Sequence, residues 1–79
     1  MRPVDEILAL LREVVRDDEA VEFTENTTLF SSGLLDSMAL EEIHAAIEER
    51  WAPIPPGELT RANFDSPLAI AAMVARITA

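Results

Sequence analysis

Wherever apolar residues recur regularly in this chain they recur at helical spacing, and no stretch alternates with the period of two that a half-buried strand requires. From Val4 they fall at Ile7, Leu8, Leu11, Val14 and Val15, with Asp5, Glu6, Arg12, Glu13 and Arg16 on the other side. Pro3 suits a first turn, so the spacing predicts a helix over residues 3–16. A second stripe of Leu40, Ile43, Ile47 and Trp51 predicts a helix capped by Asp36 or Ser37. It ends at Pro53-Ile54-Pro55-Pro56-Gly57, where successive prolines lack an amide donor and force the preceding residues into extended geometry. A third stripe, Ile70, Met73, Val74 and Ile77, follows Ser66-Pro67, a cap and a first-turn proline. Thr60 to Phe64 suffices for one short turn. The expected fold is all-α, a small bundle of three main helices plus one short helix.

Seventy-nine residues form a single domain, residues 1–79, and a domain of this size buries only about 60% of the surface its unfolded chain exposes. The core must therefore use most of the apolar stripes, with Ile7, Leu11, Ile43, Ile47, Val74 and Ile77 in one cluster, and little room remains for an enclosed cavity. Residues 17–36 show no sustained period but carry Val21, Phe23, Leu29, Phe30, Leu34 and Leu35. A structureless loop of about 20 residues is unusual in a compact domain, and these side chains favour a long ordered loop pinned to the core, with a short helical turn inside it.

Fifteen acidic residues against six arginines give a formal charge of −9. That balance disfavours nucleic acid and anionic membranes and favours partners with basic surfaces. The chain has no cysteine, which excludes disulfides, thiolate metal sites and thiol catalysis. The first residues turn acidic before any signal-like stretch forms, and no apolar run approaches the roughly 18 residues that span a bilayer. The expectation is a cytoplasmic monomer.

Catalysis finds no support. The one histidine, His44, lies seven residues beyond Ser37 on the same helix, roughly 10 Å away at 1.5 Å rise per residue, and no Gly-x-Ser-x-Gly elbow is present. His44 reads as a solvated helix-surface residue. Glu41, Glu42, Glu48 and Glu49 lie along an exposed face without a histidine or cysteine constellation or a calcium-loop pattern, so they read as a solvated face and not as metal ligands. Trp51 and Phe64 read as core rather than as a ligand platform.

The stretch Gly33-Leu34-Leu35-Asp36-Ser37-Met38 marks the seam between the irregular segment and the second helix. A serine there has an accessible hydroxyl on a rigid support, which suits covalent modification better than catalysis. Taken alone, Asp36-Ser37 reads as a plain helix cap.

The ordered combination adds to this: Thr28-Leu29-Phe30, then the Gly33–Met38 stretch, then Ile43 and Ile47 before Trp51, then Asn63-Phe64-Asp65-Ser66-Pro67 leading into Ile70-Ala71. It resembles the acyl and peptidyl carrier protein family over essentially the whole chain, with Met38 where the family's Asp-Ser-Leu motif has leucine. The resemblance implies that a phosphopantetheinyl transferase attaches a 4′-phosphopantetheine arm from coenzyme A to Ser37, and that the carrier itself catalyses nothing. A loading ligase or acyltransferase would place an acyl, aminoacyl or other small carboxylic unit on the arm as a thioester, and downstream biosynthetic enzymes would receive it. Asp36, Met38, Glu41, Glu42, Ala45, Glu48 and Glu49 are the expected partner interface. The chain is similar to D-alanyl carriers and to freestanding carriers of specialised pathways, nonribosomal-peptide or polyketide pathways among them, more than to fatty-acid carriers, which implies small or polar cargo. The alternative is an unmodified helical interaction or regulatory module that keeps the fold.

Overall fold

The computed structural model describes residues 2–14 and 24–79, and among them the regular elements are helical. Helix α1 spans Pro3–Val14, α2 Ser37–Arg50, α3 Arg61–Phe64 and α4 Pro67–Ile77, with a 3-10 turn at Pro56–Glu58 ahead of α3. No described helix is long and apolar enough to cross a membrane.

Helix α1 packs on both α4 and α2. Two neighbours need a wider apolar face than a single stripe supplies, and Leu10 joins Val4, Ile7 and Leu11 in the core while Leu8 is only half-buried. The stripe expected from spacing, with Leu8 in it and Leu10 outside it, is thus shifted by the second neighbour. Asp5 and Glu6 in the first turn and Arg12 in the last complement the helix dipole. Val15, Arg16, Val21 and Phe23 lie outside the described residues.

In α2 the inward stripe is real but graded: Ile43 and Ile47 are fully buried, and Leu40 and Trp51 are half-buried against the same core. Burying a side chain of this kind stabilises the fold by about 1.5 to 3 kcal/mol before entropy is counted. The Trp51 amide donates to the Ile47 carbonyl at 2.9 Å and closes the helix. Beyond it, Glu48 accepts the Ile54 amide at 2.8 Å and draws the proline-rich segment back, so that Ile54 is buried. Helix α4 begins as expected, with the Ser66 hydroxyl accepting the Ala69 amide at 3.1 Å and Pro67 in the first turn, and it buries Ile70, Ala71, Met73 and Val74. Ile77 packs on the core from a half-buried position.

The described part of the long loop is ordered by one acidic side chain. Asp65, between α3 and α4, accepts the Leu29 amide on its backbone carbonyl at 2.7 Å. Its carboxylate accepts the Phe30 amide at 2.8 Å, the Ser31 amide at 2.9 Å and the Ser31 hydroxyl at 2.6 Å. The chain then turns through Gly33, whose φ of +81° is left-handed, and the Leu35 amide returns to the Leu29 carbonyl at 2.8 Å. Leu29 and Leu35 therefore enter the core, as an ordered loop requires. Leu34 instead faces solvent, and residues 24–36 contain turns but no helical one. The reason is local: a loop held at both ends of 29–35 by amide contacts has its middle directed outward.

These contacts hold the Asp65 carboxyl below its ordinary range, the Ser31 hydroxyl most of all, then the Ser31 and Phe30 amides. A depressed folded-state value means that the stabilisation is present above the carboxyl's unfolded pKa and is lost as pH falls through the folded one. Melting followed from neutral to acid pH should therefore show an acid-side loss that Asp65→Asn reduces, with the variant already less stable at neutral pH. Parallel acid profiles for the two proteins would contradict the role given to Asp65.

Candidate functional site

The start of α2 is set by Asp36. Its backbone is extended, with φ −107° and ψ −177°, and its carboxylate accepts the Ala39 amide at 3.0 Å. Asp36 is thus the cap, and Ser37 is the first helical residue with an exposed side chain. A residue one and two turns further along a helix lies on the same edge, which aligns Ser37, Glu41 and His44.

That edge forms one wall of a groove of about 600 Å³. Phe30, Leu35 and Leu40 supply apolar lining from the loop and α2, and Leu59, Thr60, Arg61 and Phe64 form the opposite wall. The small size of the domain had implied little room for an enclosed cavity, and the space found lies at the surface beside the exposed Ser37. The opposite wall is fastened from behind. Glu58 takes two hydrogen bonds from the Arg76 guanidinium, at 2.9 and 3.2 Å, and one from the Asn63 amide at 2.9 Å. The Asn63 side chain also donates to the Glu58 carbonyl at 2.8 Å and accepts from Arg76 at 3.1 Å. Arg76 is the chief reason the Glu58 carboxyl sits below the ordinary range. Thr60 caps α3 by accepting the Asn63 amide at 3.3 Å.

His44 is not the solvated surface residue that the sequence pattern implies. It is half-buried on the groove edge, and its Nε2 lies 3.4 Å from Glu48 Oε2, shielded from solvent and without a hydrogen bond. That nitrogen lies beside Glu48, one turn further along α2 than His44 and so further from Ser37. Among the described residues, no group of three or more His, Cys, Asp or Glu side chains is placed to hold a metal ion.

The residues expected at the interface divide into three groups. Met38, 68% exposed, stands beside Ser37 with Glu42, Ala45 and Glu49 on the open side of α2. Glu41, also exposed, lines the edge of the groove. Asp36 and Glu48 are exposed yet engaged, one with the Ala39 amide and the other with the Ile54 amide. Sequence reasoning missed Leu59, Thr60 and Arg61, because nothing in their spacing places them across from Ser37. Phe64 was read as core, and it is both core and groove wall.

No family model matches the chain. Over 78 residues it is 68% identical to lincomycin biosynthesis protein LmbN of Streptomyces lincolnensis, covering 99% of this chain but 28% of that protein's length. It is 39% identical over 64 residues to a D-alanyl carrier protein of Listeria monocytogenes, covering 80% of this chain and 81% of the relative. With a D-alanyl carrier protein of Lactobacillus helveticus the identity is 32% over 69 residues, covering 86% and 85%.

The cap gives the site its first test. Asp36→Ala should cost about 0.5 to 2 kcal/mol in thermal or denaturant unfolding, whereas Asp36→Asn, which keeps an acceptor for the Ala39 amide, should cost much less. Equal losses for the two variants would show that charge, not capping, is what Asp36 contributes.

Proposed function

Because the chain belongs to the carrier protein family of these relatives, we propose that residues 1–79 act as one carrier unit, with a 4′-phosphopantetheine arm on Ser37. The observation that carries this reading is the placement of an exposed serine hydroxyl as the first residue of α2, at the mouth of an open groove and next to an aspartate that fixes the helix start. The residues fit such a group. The first turn of α2 leaves backbone N–H groups directed at whatever is attached to Ser37, and a helix N-terminus favours an anion by about 0.3 to 1 kcal/mol at an exposed site. When bound, the arm supplies the thiol that a chain without cysteine lacks, and an acyl unit is carried on it as a thioester.

The described side chains assist without catalysing. Asp36 and the α2 cap keep the serine in one orientation for a transferase. Met38 offers an apolar contact beside it, and the acidic face of Glu41, Glu42 and Glu49 attracts basic partner surfaces, which raises encounter rates more than affinity. Rapid encounter with modest affinity is what a shuttle between enzymes needs. Loading ligases or acyltransferases and downstream biosynthetic enzymes are the partners proposed.

The cargo proposed is small or polar, an aminoacyl unit ahead of a long alkyl chain. Glu41, His44, Thr60 and Arg61 give the groove a polar rim, and its volume of about 600 Å³ includes open surface. The names of the relatives, D-alanyl carriers and a lincomycin biosynthesis protein, support the same choice and a place in a specialised pathway.

Incubation with coenzyme A and a broad-specificity phosphopantetheinyl transferase should add one arm per chain, and fragmentation of the modified peptide should place the added mass on Ser37. Ser37→Ala should take up none. Mass on Ser31, Ser32 or Ser66, or continued modification of the alanine variant, would refute the assignment.

A further inference from the structure

We propose that Arg61 binds the phosphodiester created on Ser37 and so steers the arm across the groove toward α3 rather than outward along α2. The proposal rests on the carrier reading above and goes beyond it by giving this chain an internal phosphate ligand.

Modification places a new negative charge on a protein already at −9, on a groove edge that holds Asp36 and Glu41. Of the described residues that line the groove, Arg61 is the only permanent cation. The other arginines placed among the described residues are mostly committed: Arg2 to Asp5 and Glu25, Arg50 to Glu13, Arg76 to Glu58. Arg61 makes no ion pair within 4 Å among the described residues, its charge acting on Asp65 only as a minor influence, and its side chain is exposed.

Its position follows from the local fold. Thr60 caps α3, so Arg61 is the first residue of that helix, and Phe64 three residues on shares its side. Phe64 is buried and, like Arg61 and Ser37, lines the same groove of about 600 Å³. Nearby carboxylates compete poorly: Asp65 already accepts from Phe30 and Ser31, and Asp36 from Ala39. A phosphodiester presents unshared oxygens, and the planar guanidinium meets them through two parallel hydrogen bonds, a geometry that lysine cannot reproduce.

The test compares unmodified and fully modified protein, each verified by mass, for wild type, Arg61→Gln and Arg61→Lys. In wild type, modification should raise the melting temperature by about 2 to 6 °C at low salt, and the gain should shrink at about 0.5 M salt. The unmodified proteins should melt alike. Arg61→Gln should lose at least half of the gain, the remainder being the share of the α2 amides, and Arg61→Lys should keep an intermediate part. In wild type, without any substitution, the Arg61 Nε–H resonance should shift on modification while that of Arg12 stays in place. An unmoved Arg61 resonance, or a gain as large in Arg61→Gln as in wild type, overturns the proposal and leaves the carrier reading intact. Failure of Ser37 to take any mass overturns the carrier reading, and this proposal with it.

Discussion

The hydrogen bonds that converge on Asp65 fix the relation between the long loop and the helices. Leu29, Phe30 and Ser31 donate to it from a loop more than thirty residues earlier in the sequence. Ordering the described part of this loop costs backbone entropy at every residue, and charge-assisted bonds to one carboxylate offset a part of that cost at the point where it meets the core. With the loop held there, Leu29 and Leu35 enter the core, the turn at Gly33 follows, and Asp36 arrives where it can cap α2. The position of Ser37 is thus a consequence of a contact made near the far end of the chain.

The same economy explains the groove. Its α2 edge is fixed by Ile43 and Ile47 in the core, while its other wall depends on Phe64 and on the Glu58, Asn63 and Arg76 cluster. One side is packed and the other is held by polar contacts at the surface. The proposed function calls for this combination, since an attachment point must be rigid while the surface around it meets several enzymes in turn.

Much of this was legible in the sequence, and the limits have physical causes. Helical periodicity located α1, α2 and α4, and Pro3, a cap at Asp36 or Ser37, and Ser66-Pro67 located their starts, because those features depend on residues only a few positions apart. The ordered motifs from Thr28-Leu29-Phe30 to Asn63-Phe64-Asp65-Ser66-Pro67 pointed to the carrier family to which the chain belongs. What periodicity could not supply was the partner of each face. Leu10 is buried because α1 has two neighbours, Leu34 is exposed because its loop is tied on either side, and His44 is half-buried at the groove beside Glu48. The pairing of Asp65 with Ser31, and of Arg61 with the groove, is long-range in the same sense. No spacing rule reports it.

The central claim is that a chain with no thiol of its own works by acquiring one, and a thiol count tests it directly. Before treatment the protein should react with no thiol reagent, since it has no cysteine. After treatment with coenzyme A and a phosphopantetheinyl transferase, followed by removal of free coenzyme A, it should show one reactive thiol per chain, and that thiol should disappear when a cognate ligase and its carboxylic acid substrate are supplied with ATP. A treated protein that still shows no thiol would contradict the account.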